Sequence, residues 1–220
     1  GLDLRGGLAA IGAYRADVAG SDSGAVYLFH RVAGGSWVEL QRLIGSDTAI
    51  NDRFGVAVSV GTLRVVVGSL RGDGVSPSTG AVYVFEENNG VWTEVDKIFA
   101  PDGQLGDQFG YGVDVGEGLI VVGARFDDDL GDSAGKAYVY ERANESWALT
   151  ATLHAADGMP GDSFGTTVAI VDEDRVLVGA PGRASSTGAV YLFQRVGGAW
   201  LQTDRSDAPD STGPGSFGFR

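Results

Sequence analysis

A fixed step of about 55 residues runs through this chain, and such a step restricts the fold more than any local propensity does. The dipeptide Phe-Gly recurs at Phe54-Gly55, Phe109-Gly110, Phe164-Gly165 and Phe217-Gly218, at intervals of 55, 55 and 53 residues. All four tryptophans (Trp37, Trp92, Trp147 and Trp200) keep the same phase, as do Tyr27, Tyr83, Tyr138 and Tyr191. Three markers in one phase define four copies of one unit within a single domain, 1–220. The copies run over about 1–46 together with 216–220, then 47–101, 102–156 and 157–215.

Each copy resolves into four short apolar stretches divided by turn residues. In the second, FGVAVSV alternates as a half-buried strand does, and LRVVVGS is a continuous β-branched run that suits a strand covered on both faces. A polar loop, LRGDGVSPST, leads to GAVYVF. Asn88-Asn89-Gly90 then supplies hairpin chemistry before VWTEVDKIF, where interleaved charges mark an outer edge strand. Four antiparallel strands per copy, with no helical period, predict an all-β protein: a β-propeller of four-stranded antiparallel blades. A single large sandwich would give no reason for markers in strict phase.

Composition agrees. The chain has 43% hydrophobic and 20% charged residues, a globular balance, and its 36 glycines suit many tight turns. The net charge of −13 argues against nucleic acid as a partner. With no cysteine, disulfides and thiolate metal sites are excluded. No apolar run approaches the roughly 20 residues of a membrane span, and GLDLRGG is not a signal peptide.

The termini are complementary. LDLRGGLAAIGA (Leu2 to Ala13) aligns without a gap with VDVGEGLIVVGA (Val113 to Ala124), so the first copy lacks its Phe-Gly. Ser216 to Arg220, SFGFR, carries that missing start, and pairing of the two segments in one strand is expected to close the ring. Two alternatives stand beside closure: a longer array continuing from Phe217, and terminal strands pairing between molecules as a ring or filament.

The run GDSFGTTVAIVDEDRVLVGAPGRASSTGAVYLFQRVGGAWLQT, Gly161 to Thr203, resembles the FG-GAP repeat, with Phe164-Gly165 as its FG and Gly179-Ala180-Pro181 as its GAP. The counterparts of that triplet are Gly12-Ala13-Tyr14, Gly68-Ser69-Leu70 and Gly123-Ala124-Arg125. FG-GAP repeats form the propeller headpiece of integrin α-subunits, and the linkers and Gly-x-Trp segments here are most similar to the bacterial subtype. The resemblance implies a secreted or cell-surface binding module. Two departures matter: the integrin propeller has seven blades, and the calcium loop between first and second strands is replaced here by GTL, GEG and EDR, too short to wrap that cation.

Candidate sites follow from the acidic residues. The linker aspartates Asp47, Asp52, Asp102, Asp107, Asp157, Asp162 and Asp210 repeat in every copy, as turn-capping residues would, although cation binding is the competing role. Asp127, Asp128, Asp129 and Asp132 occur in one loop only and form the candidate metal site, for calcium. Arg71-Gly72-Asp73 spells a tripeptide that many integrins recognise, on a loop expected to be exposed. Gly161-Asp162-Ser163-Phe164-Gly165 matches the hydrolase elbow by letter but lacks its strand–turn–helix setting. His30 and His154 have no repeated partner, so no triad is expected. The tryptophans and tyrosines fit packing between blades better than sugar stacking. Together these features lead to a non-catalytic interaction module that binds protein or glycan through loops that differ between copies. The alternatives are a self-assembling structural protein and a carbohydrate-active enzyme using channel carboxylates.

Overall fold

The computed structural model describes residues 1–144, 146–208 and 215–219, and contains four antiparallel four-stranded sheets. The first holds β1 (Leu2–Arg5), β2 (Leu8–Ala13), β3 (Ala25–Arg31) and β4 (Trp37–Leu43), and the second β5 (Phe54–Val60), β6 (Arg64–Ser69), β7 (Ala81–Asn88) and β8 (Val91–Ile98). The third holds β9 (Phe109–Val115), β10 (Leu119–Ala124), β11 (Lys136–Ala143) and β12 (Ser146–Leu153). The fourth holds β13 (Thr167–Asp172), β14 (Arg175–Ala180), β15 (Ala189–Val196) and β16 (Ala199–Asp207). Within every sheet the spatial order is the chain order. Short turns such as Asn89-Gly90, both with positive φ, make sequential pairing the easy solution.

The sheets are the blades of a β-propeller. Their first strands face a narrow common channel, lined at repeat-equivalent positions by Leu2, Val58, Val113 and Val168. Three apolar clusters lie between successive blades, first to second, second to third, and third to fourth. At the centre of each, a Phe-Gly phenylalanine meets two aromatic rings edge-on. Phe54 lies 5.2 Å from Tyr83 and 6.1 Å from Phe85, Phe109 5.3 Å from Tyr138 and 6.2 Å from Tyr140, and Phe164 5.5 Å from Tyr191 and 5.9 Å from Phe193. Such edge-to-face pairs contribute about 0.5–1.5 kcal/mol each beyond the buried area.

The two motif glycines have one cause. Each second-strand glycine packs against the backbone of the next blade's Phe-Gly turn. A Cβ on Gly123 would lie 2.7 Å from the Gly165 carbonyl carbon, and one on Gly12 would lie 2.9 Å from that of Gly55. Gly55, Gly110, Gly165 and Gly218 all adopt φ between 83° and 89°, which disfavours other residues. Backbone meets backbone at each joint.

Some details were not expected. The strand FGVAVSV is buried on both faces rather than half-buried, because its blade has neighbours on either side. A register shift recurs between third and fourth strands, at Leu28/Phe29, Val84/Phe85, Val139/Tyr140 and Leu192/Phe193. First strands are sheet edges, and their free amides are capped from the preceding blade. Val60 N donates to Asp3 (2.7 Å), Val115 N to Ser59 Oγ (3.2 Å), and Ile170 N to Asp114 (2.7 Å).

The expected closure by Ser216–Arg220 does not form among the described residues. Phe217 bridges Gly188 of the last blade, as Phe54 bridges Gly24 and Phe164 bridges Gly135. No pairing joins it to β1 or β2, whose ladder is complete from Leu2↔Ile11 to Arg5↔Leu8. Gly179 and Gly218 seat this segment on the last blade as Gly12 and Gly55 do at the first joint, but Phe54 also pairs with Ser69 of β6, and Phe217 has no such pairing with β2. Arg220 lies outside the described residues.

Candidate interaction face

The longest connections, those after each second strand and those linking one blade to the next, gather on one face and interlock. Asn51, Arg53 and Phe54 amides donate to the carbonyls of Ser21, Asp22 and Ser23, at 2.8, 3.1 and 3.0 Å. Gly161, Ser163 and Phe164 repeat the pattern onto Asp132, Ser133 and Ala134. Aspartates brace the loops from within: Asp17, Asp73 and Asp128 accept from the amides of Asp22, Ser78 and Ser133. Side chains of this kind are routine turn caps.

The linker aspartates divide into two roles. Asp52, Asp107 and Asp162 cap the amides of Ala49, Gln104 and Met159, at 2.7, 2.6 and 3.0 Å. Burial raises the pKa of all three against those hydrogen bonds, that of Asp107 to about 6 with the nearby Asp127 and Asp128 adding to the rise. Asp47, Asp102 and Asp157 instead accept from the hydroxyls of Tyr83, Tyr138 and Tyr191, at 2.7, 2.9 and 3.1 Å. Each of these also meets a cation: Lys97 on Asp47, Lys136 on Asp102, and both Arg183 and Arg205 on Asp157. Burial pushes these three carboxyls up, but tyrosine and cation together outweigh it and hold them below the ordinary value. Asp210 lies outside the described residues.

A protonation prediction follows for Asp107. The native state keeps its proton up to about pH 6, whereas an unfolded aspartate loses it near 3.8. Between those values the native state binds more protons, so this group's contribution to stability falls as pH rises. Asp107→Asn removes that slope while leaving an acceptor for Gln104. Urea unfolding at pH 4 and pH 7 should show the variant gaining about 2 kcal/mol on the parent across the interval. A gain that does not change with pH would contradict the buried, proton-holding carboxyl.

The candidate metal residues are brought close but committed elsewhere. Asp127 is buried, with one oxygen on the Asp129 amide (3.1 Å) and the other on the Lys136 ammonium (3.1 Å). Asp129 and Asp102 also hold Lys136, at 2.5 and 2.9 Å. Asp128 caps Ser133, and Asp132 accepts from the Ser133 hydroxyl at 3.0 Å. A lysine nitrogen therefore stands among the carboxylates where a cation would need to be. Among the described residues no group of three or more His, Cys, Asp or Glu side chains is disposed to hold a metal ion. Lys136 escaped the sequence reading. The available signal was its place in GKAYVY, where the other copies have Ala25, Ala81 and Ala189. Burial opposes the charge on Lys136, but the three carboxylates outweigh it and raise its pKa.

The remaining candidates are structural in this arrangement. Gly72 of the Arg71-Gly72-Asp73 tripeptide is buried and Asp73 caps Ser78, so the three residues do not project as a unit. Ser163 lies in a linker running into β13, its amide bonded to Ser133 O at 3.0 Å. His30 sits on β3 and His154 in the linker after β12. Trp92 and Trp147 are buried between blades and Trp200 packs at the edge of the third cluster, whereas Trp37 is exposed. Gln41 ties Trp92 across the joint through both amide atoms, at 2.7 and 3.0 Å.

Comparison with known proteins gives consistent matches. The family model described as the FG-GAP repeat matches residues 37–85, 92–140 and 147–193. Integrin alpha-M of Mus musculus is 29% identical over 175 residues, covering 73% of this chain and 15% of that protein. Integrin alpha-11 of Homo sapiens is 29% identical over 140 residues, covering 58% of this chain and 12% of that protein. The chain thus spans less than a sixth of the length of these relatives. A solved structure titled as the WD40 domain of SCAP from fission yeast superposes with TM-score 0.49 at 9% identity, over 85% of this chain and 46% of that one.

Proposed function

The chain belongs to the FG-GAP repeat family, and on that premise we propose that it is a non-catalytic interaction module of the cell surface or extracellular space. It binds a protein or glycan ligand through the interlocked loop face. The carrying observation is the contrast between frame and loops. The blade joints repeat the same glycines and rings, while the loops read YRADVAGSDSG, LRGDGVSPSTG, RFDDDLGDSAG and PGRASSTG. Exposed Val75 and Leu130 stand on two of them, beside carboxylates and serines. Loops held by a rigid scaffold are where binding residues concentrate. The similarity to integrin α chains over part of their length supports surface recognition as the role. No helix among the described residues is long and apolar enough to cross a membrane.

The test is a binding screen of the whole chain on a glycan array and on a panel of extracellular proteins, with a loop variant as comparator. Replacing Val75 by Ser and Leu130 by Ser should weaken ligand capture at least about fivefold, with unfolding midpoints unchanged, as exposed positions allow. Two empty screens, or a ligand whose capture ignores the loop changes, would reject the reading.

A further inference from the structure

We propose that Arg125, on the loop face of the third blade, is a binding site for a carboxylate side chain of a protein ligand. This contact deepens the ligand-binding reading above, on which it depends. Arg125 opens the connection after β10, in a blade that has a neighbour on either side. Its guanidinium carbon lies 3.6 Å from the centre of the Tyr111 ring and 4.3 Å from that of Phe126. The other cation–ring contacts among the described residues are longer, 5.0–5.9 Å. Arg125 Nε donates to Gln108 Oε1 at 2.8 Å. Two rings and one amide hold the side chain in place, so little rotamer freedom is left to lose on binding.

No carboxylate among the described residues answers this charge. Arg64, Lys97, Lys136, Arg142, Arg183 and Arg195, which are also half-buried or buried, each meet one. Half-buried Arg53 and Arg125 do not, in a chain with 29 acidic residues, and of these two only Arg125 is held by rings. Burial opposes the Arg125 charge and lowers its pKa, a cost that an incoming carboxylate relieves. With Nε committed to Gln108, the terminal Nη groups are left to donate to both oxygens of that carboxylate. The site also stands outside the repeating frame. Other blades have Tyr14, Leu70 and Pro181 at the Arg125 position, and Val56 and Thr166 at the Tyr111 position. Joint residues recur from blade to blade, and this arginine with its tyrosine does not.

The surrounding charge selects the kind of ligand. Exposed Asp128, Asp129 and Asp132 follow Arg125 on the same loop. A ligand with negative charge alone, such as an acidic polysaccharide, is repelled by these carboxylates. A protein segment with one Asp or Glu flanked by Lys or Arg matches both signs, its carboxylate on Arg125 and its cations on the aspartates.

Fluorescence anisotropy of the 220-residue chain with two labelled, amidated peptides, Lys-Gly-Glu-Gly-Lys and Lys-Gly-Gln-Gly-Lys, tests this. The glutamate peptide should bind at least about tenfold more tightly, the scale of one charged hydrogen-bonded contact. Arg125→Met, which keeps the contact with the rings, should abolish the difference. Arg125→Lys should recover only part of it, because an ammonium offers no bidentate edge. Unfolding midpoints of both variants check the blade, and Arg125→Lys makes the comparison if Arg125→Met fails to fold. Equal binding of the two peptides, no binding of either, or a preference that survives Arg125→Met would overturn the proposal. So would tighter binding of a glucuronate-terminated oligosaccharide than of the glutamate peptide. Where the two peptides bind equally but Val75→Ser and Leu130→Ser still weaken capture, the carboxylate contact fails and the ligand-binding reading stands.

Discussion

Gly123→Ala should destabilise the protein by about 3 kcal/mol or more, the upper part of the range for overpacking. The added methyl would press on the carbonyl carbon and oxygen of Gly165. Both are backbone atoms, and no rotamer change moves them aside. Gly165 cannot yield either, because its φ of 86° is the one that turns the linker into the fourth blade. The third and fourth blades must separate, loosening Phe164 from Tyr191 and the cluster that includes Val121, Val139 and Val178. Against a total stability of about 5–15 kcal/mol, that is a large share. The control is Gly118→Ala, where a Cβ meets nothing within 4 Å and the effect should stay within about 0.5 kcal/mol. Urea unfolding of both variants decides it. Equal, small effects would mean that the joint glycines are not the reason for the motif.

Lys136→Met should cost about 3–5 kcal/mol at neutral pH, the range for removing one partner from a buried ion pair. The variant keeps the stem's apolar volume but leaves Asp127 buried without its cation, and leaves Asp102 and Asp129 without a counter-charge. The loss should shrink as pH falls, because the orphaned Asp127 then takes up a proton that neutralises it. Combining Lys136→Met with Asp127→Asn should recover part of the stability, giving a coupling free energy above about 1 kcal/mol in a double-mutant cycle. A single-variant cost below about 1 kcal/mol would class this cluster with exposed ion pairs, whose contribution is small.

The fold was legible because its signals are local and repeated. Turn chemistry at Asn89-Gly90, continuous runs such as Arg64–Ser69 and the phase of Phe54, Phe109 and Phe164 each specify a blade without reference to the others. The loop aspartates were half legible. Repetition correctly marked Asp52, Asp107 and Asp162 as turn caps, since a cap needs only its own neighbours. The bonds from Tyr83, Tyr138 and Tyr191 to Asp47, Asp102 and Asp157 join residues more than thirty positions apart, and no local pattern announces them. The cluster at Asp127 shows the same limit. Four carboxylates in one loop invite a cation, and the cation that came belongs to a strand seven residues on from Asp129.

By itself the sequence determined the four-stranded repeat, its strands, and the glycine and aromatic positions at each joint, because every copy carries the same short-range instructions. Only the tertiary structure decided how those blades meet: which backbone sits against Gly12 and Gly123, which lysine answers the acidic loop, and that Phe217 rests on the last blade rather than beside β1. The difference is one of range. Hydrogen-bonded turns and strand periodicity are written along neighbouring residues, whereas charge pairing and face-to-face burial depend on distances that exist only once the blades have come together.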